Sequence, residues 1–280
     1  MNDTLTTADG LPLHVAHWPA AGAARGTVLI VHGLGEHHAR YAHVAAQLNG
    51  WGWNVVGYDH RGHGLSGGAK GRLDDSDDLL RDLALAIDSV RAQVPGTLVL
   101  LGHSLGGLIA ARFVAEGLLP QPARWYRKVD ALVLSSPALD PGMNAAQKLA
   151  LNLIGPLAPN LAVHNGLKPE WISRDKAVVE AYRTDPLVHD RITPRLARFI
   201  VDGGDLVLRH APQWTLPTLL LYAGSDRCVA PVGSAAFAAA APRSMLEARE
   251  FKPLFHEIFN EPEQAEVFAA LGAWLAGRAH

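Results

Sequence analysis

A single cysteine, Cys228, stands in the 280 residues. That excludes an intrachain disulfide, gives no reason to expect a thiolate metal cluster, and fits a reducing compartment. An excess of one charge is also lacking. The 25 basic residues face 27 acidic ones, for a net −2, whereas a nucleic-acid surface or a polybasic membrane anchor needs a basic surplus. No apolar run approaches the ~20 residues that a membrane span requires. Met1 to Pro12 is polar, carries Asp3 and Asp9, and has neither a basic n-region nor an apolar core, so no signal peptide is expected there. Repeats at solenoid periods and low-complexity tracts are missing too. These absences lead to the expectation of a soluble cytoplasmic protein that binds no nucleic acid and has no transmembrane segment.

What is present is a globular composition, 49% hydrophobic and 19% charged, which is far from that of a disordered chain. A chain of this size buries roughly three quarters of its unfolded surface, so one large domain or a core with an inserted subdomain is expected. The aliphatic runs Thr27–Val31, Leu98–Leu101, Ala131–Leu134 and Thr218–Ala223 read as buried strands of a parallel sheet, and Asn54–Tyr58 reads as a further strand. Helical patterns separate the earlier ones. Tyr41–Leu48 is closed by Asn49-Gly50. Asp74–Val94 repeats Leu79, Leu80, Leu83, Ile87 and Val90 at three- and four-residue steps, with an acidic start read as a solvated cap. Leu5–Trp18 alternates loosely around an Asp9-Gly10 turn. A further helix is expected over Pro231–Ala241, a strand over Met245–Phe251, and a last helix from Pro262 to Leu275. This rhythm implies an α/β fold with a mostly parallel, doubly wound sheet.

The rhythm breaks between Ala138 and Trp214, where prolines stand at 141, 156, 159, 169, 186, 194 and 212. Sheet connections usually run about 2–6 residues, so residues 138–214 are expected to form an inserted helical cap on a core of residues 1–137 and 215–280. Lys148–Leu157 is more apolar than a surface helix needs. Its leucines either pack onto the core or line an acyl-chain pocket and touch a lipid interface.

The chain is organised around Gly102-His103-Ser104-Leu105-Gly106, which follows the buried Leu98–Leu101 run and precedes an Ala/Leu-rich helical stretch. Strand, Gly-x-Ser-x-Gly and helix in that order make a nucleophile elbow. The serine is held at the tip of a tight turn in a sparsely populated conformation that costs about 1–3 kcal/mol. The flanking glycines are required where helix and strand cross too closely for a Cβ. The helix starting there aims its first N–H groups at an oxygen beside the serine.

A serine hydroxyl needs an adjacent base, and the base a carboxylate that fixes its tautomer. In this class of fold the order is serine, acid, histidine. Asp226 follows the buried Thr218–Ala223 strand, where such sheets place function; Asp202 and Asp205 fall in the expected cap. Of 14 histidines, only His256 and the last residue, His280, follow Asp226. The assignment is therefore Ser104 as nucleophile, His256 as general base and then acid, and Asp226 as the orienting carboxylate. The His32-Gly33-Leu34-Gly35 loop after a buried strand supplies the Leu34 N–H as one oxyanion-hole donor, and the Leu105 N–H is the other. Cys228 reads as packing. His60 and His63 read as structural histidines of a packed turn, since no helical His-Glu-x-x-His spacing accompanies them.

Five blocks in order, His32-Gly33-Leu34-Gly35-Glu36-His37-x-x-Arg40-Tyr41, Asp59-His60-Arg61-Gly62-His63-Gly64-x-Ser66-x-Gly68, Gly102-His103-Ser104-Leu105-Gly106-Gly107, Gly224-Ser225-Asp226 and His256-Glu257-x-x-Asn260-Glu261, give the chain its further identity. Together they resemble the monoacylglycerol lipase/lysophospholipase family of α/β-hydrolases, of the serine aminopeptidase S33-like type. The resemblance implies an α/β-hydrolase fold with a cap, no cofactor, no metal, and single-chain glycerolipid esters as substrates. It carries the triad and the hole onto the residues already named, and it gives Glu36 and Arg40 a role in shaping the oxyanion loop. In the expected cap it is loose and lies chiefly at Ser173-Arg174-Asp175 and Asp185-Pro186-Leu187. Three functions are carried forward: a carboxylester hydrolase, an amide- or thioester-cleaving hydrolase on the same scaffold, and a ligand-binding protein that has lost catalysis.

Overall fold

The computed structural model describes residues 2–94 and 96–278. Eight strands form one sheet: β1 (Asn2–Thr6), β2 (Pro12–Trp18), β3 (Thr27–Val31), β4 (Asn54–Tyr58), β5 (Leu98–His103), β6 (Ala131–Ser135), β9 (Thr218–Ala223) and β10 (Leu246–Phe251), in the order β1-β2-β4-β3-β5-β6-β9-β10. The β1/β2 and β2/β4 pairs are antiparallel, and every other pair is parallel.

The aliphatic runs are continuous because both faces of the sheet are covered. On β3, Leu29 and Val31 enter one core layer while Val28 and Ile30 enter the other. The same alternation splits Leu98 and Leu100 from Val99 and Leu101 on β5, and Leu132 and Leu134 from Ala131 and Val133 on β6. Helices α2 (Asp78–Gln93), α3 (Leu105–Glu116), α6 (Pro194–His210) and α7 (Pro231–Ala240) contribute to the first layer. Helices α1 (Ala42–Gly50) and α8 (Gln264–Ala276) contribute to the second. The sheet is thus wound on both sides, as the sequence pattern implies.

Two helix starts differ from the sequence expectation by more than one residue. α2 begins at Asp78, not Asp74, because the Asp78 carboxylate accepts the N–H groups of Asp74 and Asp75 at 3.0 and 2.8 Å and folds the acidic stretch into a turn. Nor is this stretch merely a solvated cap. Asp78 and Asp82 are buried and paired with Arg61, at 3.1 and 2.6 Å. α8 begins at Gln264, two residues after Pro262.

Between β6 and β9 the chain leaves the sheet. Residues 138–214 contain α4 (Ala145–Ile154), α5 (Lys176–Thr184), α6 and a two-residue antiparallel pair, β7 (Val163–His164) with β8 (Arg191–Ile192). α6 packs against α3, its Gly203 backbone meeting Leu108. α4 is different. Its Leu149 and Leu153, with Leu157 just past its end, are 57%, 64% and 84% exposed, so they do not pack onto the core, whereas Leu151 is half-buried and faces a cavity.

Candidate active site

Ser104 sits between β5 and α3 with φ 53° and ψ −119°, a left-handed conformation that a non-glycine residue adopts only under constraint. The constraint is visible. Its N–H donates to Ser135 O at 3.0 Å, and its carbonyl accepts from Leu108 and Ala138 N–H at 3.0 Å each. Strand and helix cross closely here. A Cβ on Gly106 would lie 1.9 Å from Val31 O, and one on Gly102 would lie 2.5 Å from Gly106 O. Only glycine fits either position, which is why the pentad has the form it has.

The end of β9 and the loop after β10 supply the other two side chains. His256 Nδ1–H donates to Asp226 Oδ2 at 2.7 Å, and Asp226 Oδ1 accepts the N–H groups of Cys228 and Val229 at 2.8 and 3.1 Å. An ionised carboxylate only accepts, so this bond places the proton on Nδ1 and leaves Nε2 as the acceptor. Burial alone would lower the His256 pKa. The Asp226 charge and hydrogen bond, with Glu257 and Glu36 behind them, outweigh it and raise the pKa above 6.5. Ser104 and His256 line the same cavity. Among the described residues Ser104 Oγ makes no hydrogen bond to the imidazole, and such contacts often close only around a substrate. His280 lies outside the described residues, and Asp202 and Asp205 are on α6.

Among the described residues the N–H groups of Leu34 and Leu105 have no partner. Leu105 opens α3, where the first N–H groups lack an intrahelical acceptor. The Leu34 loop is shaped by Glu36, whose carboxylate accepts the Gly33 N–H at 2.6 Å, the Tyr41 hydroxyl at 2.6 Å and Arg40 at 2.7 Å. Arg40 also grips Glu257 with two bonds, 2.6 and 2.8 Å, and lies 4.8 Å from the Tyr182 ring. Burial pushes the Glu257 pKa up, but Arg40 outweighs it and holds the carboxyl below its usual range. One guanidinium thus ties the Leu34 loop to the residue after His256. The inserted segment adds two ties of its own: His189 N–H to Gly35 O at 2.8 Å and His37 Nε2–H to Asp185 Oδ2 at 2.8 Å.

The neighbouring histidines are framework. His103 lies beside Ser104, its ring 4.7 Å from that of His256, and burial pushes its pKa down to about 3. His60 and His63 are also held near 3 by burial. His60 Nε2–H donates to His32 O at 2.9 Å and His63 Nδ1–H to Arg61 O at 3.0 Å, bonds that brace the turn. Asp226, Cys228 and His256 offer atoms within 4.8 Å of one another. Burial, together with Asp226 and Glu257, pushes the Cys228 thiol well up, and both Asp226 oxygens are already engaged. That donor set suits a proton relay better than a metal ion.

Two cavities meet at Ser104. One, about 450 Å³, has a mixed lining, with Glu36, Lys168, Tyr182, Asp185 and His256 set among apolar groups such as Leu167, Ile172 and Val188. The other, about 810 Å³, is lined by Leu105, Met143, Leu151, Ile200 and Val229 among others. Leu34 and Ser104 border both. A substrate spanning the junction would place an apolar arm on one side of the serine and a polar arm on the other.

Sequence reasoning brought Ser104, Asp226, His256, Leu34 and Leu105 to this rim. It missed Tyr182, His189 and the Arg40–Glu257 grip, whose partners are 217 residues apart; the Glu in the His256-Glu257 block was the only local signal.

Residues 22–263 match the family described as serine aminopeptidase, S33. The chain is 33% identical over 263 residues to a monoacylglycerol lipase of Mycolicibacterium smegmatis, covering 92% of this chain and 90% of that one. An uncharacterised abhydrolase domain-containing protein of Dictyostelium discoideum is 30% identical over 277 residues; the chain is 98% covered but spans only 29% of that longer protein. The crystal structure of a monoacylglycerol lipase from Paleococcus ferrophilus superposes with a TM-score of 0.82 at 34% identity, covering 95% of this chain and 98% of that one.

Proposed function

Since the chain belongs to the serine aminopeptidase S33 family of α/β-hydrolases, which includes lipases and esterases, we propose that it is a serine carboxylester hydrolase acting on single-chain glycerolipids, of the monoacylglycerol or lysophospholipid kind. The observation that carries this reading is the meeting at Ser104 of a larger, mainly apolar cavity and a smaller one whose mixed lining carries Glu36, Lys168, Tyr182 and Asp185. The larger takes the acyl chain and the smaller takes the leaving alcohol. Hydrolysis needs no cofactor.

In this mechanism Ser104 Oγ attacks the ester carbonyl as His256 Nε2 takes its proton. The resulting oxyanion accepts the Leu34 and Leu105 N–H groups, and Asp226 stabilises the imidazolium through Nδ1. Collapse expels the alcohol, protonated by His256, and leaves an acyl-Ser104. Water, deprotonated by the same imidazole, then releases the fatty acid. Residues 138–214 act as the cap: α4 and α6 wall the apolar cavity, and the exposed Leu149, Leu153 and Leu157 meet the lipid interface from which a single-chain substrate comes. Among the described residues no helix is long and apolar enough to cross a membrane. The lone cysteine, Cys228, supports action in a reducing compartment such as the cytoplasm.

The base must be neutral to accept the Ser104 proton, and Asp226 stabilises its charged form. Activity is therefore lost as pH falls through the raised pKa and is restored above it. The acid limb of kcat/KM is expected to have its midpoint above 6.5. A midpoint at or below 6.5 would contradict the assigned pairing.

The substrate class is tested by initial rates on monoacylglycerols and lysophospholipids of varied chain length, beside esters, thioesters and amides of one acyl group. Esters with a long single chain and a polyol or phosphodiester head are expected to give the highest kcat/KM. A preference for the matched amide would replace this reading with peptidase-like chemistry.

A further inference from the structure

The loop that carries His256 contains a buried carboxylate with no part in the steps above. Glu261 is 0% exposed and accepts four hydrogen bonds. Its Oε2 takes the Phe255 N–H at 2.8 Å and Arg174 Nε–H at 2.7 Å. Its Oε1 takes the Ser173 hydroxyl at 2.7 Å and the Arg174 N–H at 2.6 Å. Every donor is either the residue before His256 or part of the inserted segment.

The residue after His256 is held from the same place: the Glu257 N–H donates to Ile172 O at 2.8 Å. The backbone of the general base is thus bracketed on both sides. His256 lies outside any helix or strand, so no regular ladder fixes it. Its imidazole must keep a 2.7 Å bond to Asp226 while presenting Nε2 to Ser104. A misplacement of about 1 Å in such a constellation can cost on the order of 10²-fold in rate.

We propose, resting on the reading of Ser104, Asp226 and His256 given above, that Glu261 is a positioning residue for the general base. Its carboxylate fixes the Phe255–His256 backbone against Ile172–Arg174. The inserted segment therefore sets the chemistry of the core as well as walling the cavities. This also gives a purpose to Ser173-Arg174-Asp175, one of the two places where the segment chiefly resembles the family. Ser173 supplies the hydroxyl and Arg174 the amide and guanidinium. Asp175 caps α5 through the Ala177 N–H, and its own N–H donates to Ser173 Oγ.

The test compares wild type, Glu261→Gln and Ser173→Ala for kcat and KM on a short-chain p-nitrophenyl ester, the acid limb of kcat/KM, and the rate of fluorophosphonate uptake at Ser104. A glutamine turns one acceptor into a donor that faces other donors, whereas Ser173→Ala leaves three of the four bonds. Glu261→Gln is expected to fold, to lose about 10- to 100-fold in kcat with KM within about twofold, and to label more slowly. Its acid-limb midpoint should move to lower pH, because a slackened Asp226 contact stabilises the imidazolium less. Ser173→Ala should show the same changes at less than about 10-fold, and it decides the matter alone if Glu261→Gln does not fold. A residue that only held the fold together would lower the melting temperature and leave that midpoint where it is. Folded variants with wild-type kcat, labelling rate and midpoint would overturn the role of Glu261. Wild type that takes up no fluorophosphonate would instead overturn the reading of the site on which it rests.

Discussion

Ser104→Ala is expected to lower kcat by on the order of 10⁶, leaving only what the oxyanion hole and substrate binding supply. The loss is this large because the other two side chains have no independent function: a base without a nucleophile has only water to activate, in a geometry built for a hydroxyl. The fold should survive. Ser104 is held by its backbone bonds to Ser135, Leu108 and Ala138, which alanine keeps, and the left-handed φ of 53° is as strained for one residue as for the other. Steady-state hydrolysis of a p-nitrophenyl ester, with a melting curve beside it, checks both parts. A folded variant that retains activity would remove Ser104 from the mechanism.

Asp226→Asn is expected to cost on the order of 10⁴ in kcat with little change in folding. The amide can keep accepting the Cys228 and Val229 N–H groups through its oxygen. Its NH₂ then faces His256 Nδ1 and donates to it. That selects the imidazole tautomer with the proton on Nε2, the nitrogen that must accept from Ser104. Substrate contacts are untouched, so KM should change little and the loss should appear in kcat. Measured at a pH above the acid limb, a loss of less than about tenfold would show that the 2.7 Å contact does not set the tautomer.

Much of this architecture was legible because it is local. The doubly covered strands announce themselves as unbroken aliphatic runs, since Val28 and Leu29 are both buried, on opposite faces. The elbow is legible because a Cβ at Gly106 would strike Val31 O, which confines the position to glycine and writes the turn into the sequence. The order of serine, acid and histidine left one well-placed candidate for each role. What was not legible depends on partners far apart in the chain. The acidic residues at 74–78 look like a solvated helix cap until Arg61 is seen beside Asp78. Arg40 and Glu257 carry no sign of each other, and Glu261, although it closes the His256 block, gives no sign in sequence that Ser173 and Arg174 close over it. The leucines of α4 share a periodicity with core helices. Only the fold shows that Leu151 faces a cavity while Leu149 and Leu153 face outward.

The claim on which the rest depends is that Ser104 is an activated nucleophile. Intact-mass analysis after treatment with a fluorophosphonate, followed by peptide mapping, tests it without any choice of substrate. One adduct per chain, on Ser104, formed more slowly as pH falls through the His256 midpoint and absent from Ser104→Ala, is the predicted result. An unmodified chain, or an adduct on another residue at an equal rate in Ser104→Ala, would contradict it.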